Sequence, residues 1–230
     1  MAPAAVEPFT SPKGREYRLI PTTERGENEE SPARLTSSAN SSDPDDFAGV
    51  KRAAAKTSVS EQPTTEYETL EKLLGDLPGD EAMRNHQPPI ATSPSSGRVA
   101  EEDRNVTVRA WLYALKKEKD NDFHLIIGTD PNANAIQYLT AEISGLPNDP
   151  ATRMQLAVPR QALKDFLHEK HKTVGDRFVR ISPPVPVVVS GSLFFDIHHS
   201  VGEVGVKTAP KRIPTTVWEI HPVTRIIFDP

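Results

Sequence analysis

The chain has no cysteine among its 230 residues, so a disulfide framework, a thiolate metal site and a cysteine nucleophile are excluded. No apolar run approaches the roughly 18 residues that a membrane helix needs. The N-terminus, MAPAAVEPFTSPKGREYRLI, lacks the apolar centre of a signal peptide. We therefore expect a soluble protein with no signal peptide and no transmembrane segment, in a compartment that the sequence leaves open.

Several catalytic signatures are also missing. No GxSxG elbow surrounds Ser190 or Ser192, which weakens the case for a serine nucleophile. The sequence contains neither a GxGxxG nor a GxxxxGK phosphate loop, and it contains no HExxH zinc motif. A nucleotide-binding fold is therefore not expected, and whether the protein is an enzyme stays open.

Large apolar residues are sparse in residues 1–103, which are rich in Pro, Ser, Thr and Glu. This part holds 11 Lys and Arg against 19 Asp and Glu, a net charge of −8, whereas the rest holds 16 against 13, a net charge of +3; together they give the −5 of the whole chain. Such a composition buries too little apolar surface to offset the entropy of folding. It predicts a disordered acidic tail at 1–103 and a folded domain at 104–230.

One stretch of the predicted tail has helical periodicity. In TTEYETLEKLLGDLPGD, Tyr67, Leu70, Leu73 and Leu74 fall at helical spacing, and Gly75 is a stop signal. We expect a short helix at 65–75. It is either a transient helix without a partner or a docking peptide for a protein partner.

From residue 104 onward the pattern alternates as in β-strands. Strands are predicted in NVTVRAWLYAL, FHLIIG, AIQYLTAEISG, VPVVVSGSLFFDI and TTVWEIHPVTRIIF. A helix beginning at Pro159, in PRQALKDFLHEKH, separates the third strand from the fourth. This order predicts a mainly β, small α+β fold, a five-stranded OB-like Greek-key barrel, although other small α+β folds share it.

The alternation assigns an interior face to each strand. It places Phe123, Leu125, Ile127, Leu139, Ala141, Ile143, Val187, Val189, Leu193, Phe195, Trp218 and Ile220 inside. The opposite face then carries a set of histidines and carboxylates, all able to bind a metal or move a proton: His124, Glu142, Asp196, Glu219 and His221. His198 is expected on this outer face, with His199 turning back from the loop.

Two interpretations of these residues remain open. Histidine and carboxylate ligands suit zinc, manganese or another divalent transition ion. The alternative is that they pair across strands as hydrogen-bonding groups without an ion. The identity of any cofactor is therefore unknown.

The same motifs resemble a family. FHLII, YLTAEISG, VSGSLFFDIHH and WEIHPV are similar, in order, to an uncharacterised group of bacterial OB-like domains with FHLVI, FFDxxH and ELHPV motifs. The resemblance covers about residues 104–228 and implies a shared domain without supplying a reaction. The residues that match are His124, Glu142, Phe195, Asp196, His199, Glu219, His221 and Pro222. The chain departs from the pattern in its longer last loop, which carries VKTAPKRIP.

A second candidate surface combines aromatic and basic residues, as single-stranded nucleic-acid binders do. Its members lie on the first strand and in the last loop: Arg109, Trp111, Tyr113, Lys207, Lys211 and Arg212. Glu118, Asp120 and Asp122 in the first loop oppose it electrostatically.

The sequence therefore favours a ligand-binding or interaction module that takes single-stranded nucleic acid or an oligosaccharide. The alternatives are a metal-assisted hydrolase that uses the histidines and carboxylates, and an accessory protein that recruits a partner through its tail helix.

Overall fold

The computed structural model describes residues 9–11, 13–25, 44–167 and 174–230. Within these ranges the protein is mainly β. The strands are β1 (Phe9–Thr10), β2 (Glu16–Arg25), β3 (Thr64–Tyr67), β4 (Asn105–Lys117), β5 (Phe123–Gly128), β6 (Tyr138–Ile143), β7 (Arg177–Phe195) and β8 (Trp218–Phe228). The helices are α1 (Ala53–Lys56), α2 (Leu70–Asp76), α3 (Asp80–Arg84) and α4 (Pro150–Leu167).

The strands form one mixed sheet in the order β1-β2-β7-β8-β6-β5-β4-β3. An additional antiparallel pairing between β4 and β7 closes β4, β5, β6, β8 and β7 into a ring. Within the ring the β6–β8 pair is parallel, and the other pairs are antiparallel. Closing a sheet in this way removes the free edges of the ring strands.

The interior of the ring is filled by the alternate residues that the sequence predicts. All twelve predicted interior residues of β5 to β8 belong to one buried hydrophobic core, as do Val106, Val108, Ala110 and Leu112 of β4. The alternation is interrupted at a bulge between Leu112 and Ala114, where the register to both neighbours shifts. Side chains after the bulge therefore change face, and Leu115 rejoins the core.

The helix between the third and fourth ring strands begins earlier than predicted. Its first residue is Pro150, preceded by Asp149, whose carboxylate accepts a 2.8 Å hydrogen bond from the Thr152 amide. Pro159, the predicted start, lies inside the helix. The helix start signal is therefore Asp149-Pro150, because an acidic cap before proline satisfies free amides at a helix N-terminus. Residues 168–171 of the predicted helix lie outside the described residues.

Strand β7 is also longer than predicted. It begins at Arg177 instead of Val185, because its first part pairs with β2, from Arg18↔Ser182 to Arg25↔Arg177. That partner comes from the N-terminal part of the chain, where no strand was predicted. Tyr17 and Leu19 of β2 are buried in the core of the ring.

The predicted disorder of residues 1–103 is wrong for 9–11 and 13–25, which contain β1 and β2, and for 44–103, which we name the cover. It contributes β3 and three helices, and its apolar side chains Leu70, Leu73, Met83 and Ile90 are part of the same core as the ring. A few well-placed apolar residues are thus enough to order a segment whose composition is that of a tail. Residues 1–8, 12 and 26–43 of the predicted tail lie outside the described residues.

The predicted helix at 65–75 corresponds in part to α2. The Thr69 side chain caps its N-terminus by accepting from the Lys72 amide. Residues 64–67 are instead the strand β3, which runs parallel to the first residues of β4. Because Leu70 and Leu73 are buried in the protein's own core, the apolar side of this helix is not free for the docking role considered above.

A connection between α2 and α3 ties the cover to the start of β8. The Trp218 indole donates a 2.8 Å hydrogen bond to the Pro78 carbonyl, and the Val217 amide donates to the Asp80 carboxylate at 3.1 Å.

In the described ranges, no helix is both long enough and apolar enough to pass through a bilayer.

Candidate metal centre

Histidines, carboxylates and lysines meet on the outer side of the ring, between the strands and the cover. We name this group the polar cluster. Its members are Lys56, Lys116, Glu118, Asp120, Asp122, His124, Glu142, Asp196, His199, Glu219 and His221. Although they lie on the face that alternation turns away from the core, most are almost fully shielded from solvent. Burial of so many ionisable groups is costly unless they are paired or bind an ion.

Strand register brings four members together. His124 on β5 lies directly opposite Glu142 on β6, and its Nδ1 is 2.7 Å from Glu142 Oε1. Parallel pairing of β6 with β8 places Glu219 and His221 beside Glu142. His221 Nδ1 lies 2.9 Å from Glu142 Oε2 and 3.4 Å from Glu219 Oε2. Glu142 is therefore the centre of the cluster, with one oxygen towards each of two histidines.

The loop between β4 and β5 supplies three carboxylates. Glu118 Oε1 lies 2.8 Å from Lys116 Nζ and 3.3 Å from His124 Nδ1. Asp122 Oδ1 accepts a 2.5 Å hydrogen bond from the Gly145 amide, which points its other oxygen towards His221. This loop curls back because Asn121 adopts a left-handed conformation with φ of 73°.

One subset of the cluster has the arrangement of a ligand set. Asp122, Glu142 and His221 each offer one atom, and these atoms lie within 4.8 Å of one another. Asp122 Oδ2, Glu142 Oε2 and His221 Nε2 are buried, and none has a hydrogen-bond partner among the described residues. The two carboxylate oxygens approach His221 ring nitrogens at 3.3 and 2.9 Å without hydrogen-bond alignment. Buried lone pairs in this state carry a desolvation cost that a bound cation removes.

The lysines of the cluster do not balance the charge of its carboxylates. Six carboxylates face two lysines, so four negative charges remain for protons or cations to neutralise. Burial opposes a charged imidazole, yet the carboxylates Glu118 and Glu142 outweigh it and raise the pKa of His124 to about 9. In the same way Glu142 raises the pKa of His221 well above its usual value. Protons on the histidines are thus one means of neutralisation, and metal ions are the other.

The pKa values of the buried carboxylates shift in opposite directions, depending on which charged groups lie beside each one. Burial raises the pKa of Asp120 well above its usual value, and neighbouring Asp122 adds to that shift. Burial and the nearby Glu142 raise the pKa of Glu219 to about 7. The pKa of Glu142 is instead held well below its usual range, because His221 and His124 outweigh the effect of burial. Such divergent pKa values in one place are characteristic of functional sites.

A second subset lies nearer to solvent. Asp196, His199 and Glu219 offer atoms within 4.8 Å of one another, and His199 Nδ1 is 2.9 Å from Asp196 Oδ2. A pocket of about 10 Å³ opens beside them and is lined by Thr140, His199, Glu219 and residues of the β7–β8 loop. That volume is enough for about one water molecule. The pocket is therefore a route for water or a small ion to this side of the cluster.

The cover contributes a buried cation to the cluster. Lys56, the last residue of α1, is buried, and its charge offsets part of the rise that burial causes in the pKa values of Asp120 and Asp122. It also helps His199 to hold the pKa of Asp196 below its usual value, against the effect of burial. Its Nζ lies 5.9 Å from the centre of the Phe194 ring, which is also 5.5 Å from the His221 ring. The outward Phe194 is thus enclosed between the cover and His221.

The structure brings together the six predicted members of the group, namely His124, Glu142, Asp196, His199, Glu219 and His221. The His199 ring lies 2.9 Å from the Asp196 carboxylate, and the His198 amide donates to the same carboxylate at 2.9 Å. Sequence reasoning missed Glu118, Asp120 and Asp122 as members, because they were counted only as charges opposing a nucleic-acid site. Lys56 was missed because it lies in the predicted tail. The spacing of Asp120 and Asp122 directly before β5 was the available signal.

The predicted nucleic-acid or oligosaccharide surface is only partly present. Arg109 is exposed and Trp111 is half-buried on the outer side of β4. Tyr113 is buried, with its hydroxyl donating to the Thr129 carbonyl at 2.8 Å and its ring against Tyr138. The Arg212 guanidinium lies over the Tyr113 ring. Lys207 is half-buried and Lys211 is exposed. Tyr113 is thus unavailable for stacking on a base or sugar.

No family model, no curated protein and no solved structure matches this chain. The resemblance to bacterial OB-like domains therefore stays a prediction, and the function has to be argued from the site itself.

Proposed function

We propose that the ring of five strands is an OB-like barrel and that it works as a ligand-binding module whose ligand is a divalent transition-metal ion. The observation that carries the proposal is the buried triad of Asp122, Glu142 and His221, which offers three ligand atoms within 4.8 Å of one another. Asp122 Oδ2, Glu142 Oε2 and His221 Nε2 make no hydrogen bond among the described residues, and the two carboxylate oxygens lie against different nitrogens of the His221 ring. One imidazole and two carboxylates form a ligand set that suits zinc, manganese or iron.

The neighbours of the triad support this role. The Gly145 amide orients Asp122, and the His124 ring orients Glu142 through its other oxygen. Such outer contacts fix the direction of ligating oxygens and tune their basicity. The order of pairings in the ring, with a helix between its third and fourth strands, supports the proposal of an OB-like barrel. In that fold the cluster would lie beside the first-second and fourth-fifth loops, which border the usual binding surface.

The test is titration of chelator-treated protein with Zn²⁺ and with Mn²⁺ by calorimetry, together with elemental analysis of the purified protein. We expect saturable binding by the full chain, and a loss of at least about tenfold in affinity for His221→Gln, because one of three ligands is removed. His86→Gln is the matched control, since His86 is a half-buried histidine outside the polar cluster that pairs with Glu101. Equal affinity in the two variants would reject the site.

Metal-assisted hydrolysis of phosphodiester or similar bonds is a second candidate. The pocket beside Glu219 and His199 favours it, because it has room for about one water molecule beside Glu219, whose Oε2 lies 3.4 Å from His221 Nδ1. A bound divalent ion activates water as a nucleophile near neutral pH. The test is turnover of bis(p-nitrophenyl) phosphate by metal-loaded protein. Glu219→Gln should abolish turnover while metal affinity is retained, and absence of turnover in the wild type would leave a metal-binding protein without this activity.

A further inference from the structure

Asp196, His199 and Glu219 form a group of metal-ligand side chains that shares no residue with the triad. Each offers one ligand atom, and these atoms lie within 4.8 Å of one another. We propose that this group, which we name the outer site, binds a second divalent transition-metal ion on the solvent side of the polar cluster. The proposal goes beyond the proposed function and can be tested separately from it, because the two ligand sets are distinct.

The turn after β7 brings Asp196 and His199 together. The Asp196 amide donates to the Val217 carbonyl at 3.1 Å, and the His199 amide donates back to the Asp196 carbonyl at 3.2 Å. The His198 amide donates to Asp196 Oδ1 at 2.9 Å, so Oδ2 is the oxygen that faces the His199 ring. From the cover, the Arg84 guanidinium donates to the His199 carbonyl. These contacts hold the main chain of both residues in the position that the outer site needs.

Glu219 completes the group from the neighbouring strand. It lies opposite Phe194 in the β7–β8 ladder, on the outer face and next to Asp196. Its side chain is only 4% exposed. Among the described residues, that side chain makes one hydrogen bond, a long contact of 3.4 Å between Oε2 and His221 Nδ1. A buried carboxylate with so little compensation has lone pairs that a cation can satisfy.

The closest contact in the outer site also lacks a hydrogen bond. His199 Nδ1 is 2.9 Å from Asp196 Oδ2, yet this buried nitrogen has no aligned partner among the described residues. A nitrogen and an oxygen that approach so closely without a proton aligned between them have the arrangement of two ligands around one cation.

A cavity provides the space that an ion and its water need. It measures about 10 Å³ and is lined by His199 and Glu219, together with Thr140 and residues of the β7–β8 loop. This is room for about one water molecule, the ligand that an ion held by three side chains takes as its fourth. One imidazole and two carboxylates suit zinc or manganese.

The two sites differ in their access to solvent. The His199 side chain is 19% exposed, whereas that of His221 is fully buried. An ion in the outer site should therefore exchange with solvent more readily than an ion in the triad.

The first experiment is calorimetric titration of the chelator-treated full chain with Zn²⁺. We expect two ions per chain. His199→Gln should weaken the binding of one ion at least about tenfold and leave the other as in the wild type, because one of three ligands is removed. Asp196→Asn and Glu219→Gln, which keep the shapes of their side chains, should affect the same ion. His198→Gln is the matched control, since His198 is adjacent in the chain and does not belong to the ligand group, and it should leave both ions in place.

The second experiment follows His199 itself in a variant whose triad is disabled. Diethyl pyrocarbonate modifies accessible imidazoles, and mass spectrometry identifies each modified histidine. In His221→Gln, Zn²⁺ should slow the modification of His199 severalfold and leave that of His86, outside the polar cluster, unchanged. An equal rate for His199 with and without Zn²⁺ would overturn the outer site.

The titrations also separate the outer site from the triad. Two ions in the wild type, of which one is lost in His199→Gln and the other in His221→Gln, would support both sites. A single ion that is lost in His221→Gln and kept in His199→Gln would overturn the outer site and leave the proposed function standing. A single ion that is lost in His199→Gln and kept in His221→Gln would support the outer site and reject the triad.

Discussion

The ring of strands and the cover meet at the polar cluster, but their sequences specify structure in different ways. Each ring strand repeats an apolar residue at every second position, so its inner face is visible in the sequence. The cover has no such repeat and orders through scattered side chains, among them Leu73, Met83 and Arg52. A segment of low average hydrophobicity is therefore ordered when its few large apolar residues all reach one existing core.

The largest effect is expected when the cover is removed together with β1 and β2. A chain that begins at residue 104 loses every core contact of Tyr17, Leu19, Leu70, Leu73, Met83 and Ile90, and it leaves the polar cluster open to water. We expect no cooperative thermal transition and increased binding of a hydrophobic dye, measured by calorimetry and fluorescence. Cooperative melting at the temperature of the full chain would restore the boundary that the composition predicts.

A point substitution tests the same dependence more finely. Arg52→Met leaves Glu102 buried without its counter-charge, which should cost about 3–5 kcal/mol in the free energy of unfolding, measured with urea. Adding Glu102→Met should recover part of that loss, because two apolar residues then replace the buried pair. Lys72→Met removes an exposed pair and should leave stability almost unchanged. A loss for Arg52→Met no larger than for Lys72→Met would show that the cover is not anchored there.

The cluster between the two regions should respond to pH. Because the pKa of His124 is about 9 in the folded protein and near 6.5 when unfolded, its contribution is complete below pH 6.5 and is lost as pH rises through about 9. The expected loss is about 3 kcal/mol in metal-free protein, and urea titrations between pH 6 and pH 9.5 would measure it. In His124→Gln the slope over this range should be reduced, and an unchanged slope would contradict the assignment.

A substitution on the outer face of β4 is expected to have the smallest effect on stability. Trp111 lies on the outer face and is half-buried, so Trp111→Ala should lower stability by no more than about 1 kcal/mol. If this face binds single-stranded nucleic acid, the same change should weaken binding by about 1–3 kcal/mol, with affinity falling as salt rises. Tyr113→Phe serves as the comparison, because the buried Tyr113 ring should not contact a ligand. Absence of binding to mixed oligonucleotides at low salt would remove this function.

The ring was predictable because strand alternation depends only on local sequence. The bounds of β5 agree with the prediction, and the interior residues of the predicted strands do too. The early start of α4 was missed because proline is favoured at the first position of a helix, and this preference does not distinguish Pro150 from Pro159. The capping Asp149 distinguishes them.

The site was predictable in part for the same reason. Alternation places His124, Glu142, Glu219 and His221 opposite the core, and pairing of neighbouring strands brings them together. Their burial was not predictable, because it depends on the cover, whose contacts are separated from the cluster by many residues of sequence. Lys56 and Asp122 join the cluster only through those long-range contacts.

Asp122, Glu142 and His221 are the residues that we propose to hold a metal ion. Anomalous diffraction at the zinc edge, recorded from crystals of the full chain grown with Zn²⁺, tests this proposal. We expect an anomalous peak about 2.0–2.2 Å from Asp122 Oδ2, Glu142 Oε2 and one nitrogen of His221. A zinc-loaded crystal with ordered side chains and no anomalous peak at this triad would contradict it, because the buried charges would then be neutralised by protons alone.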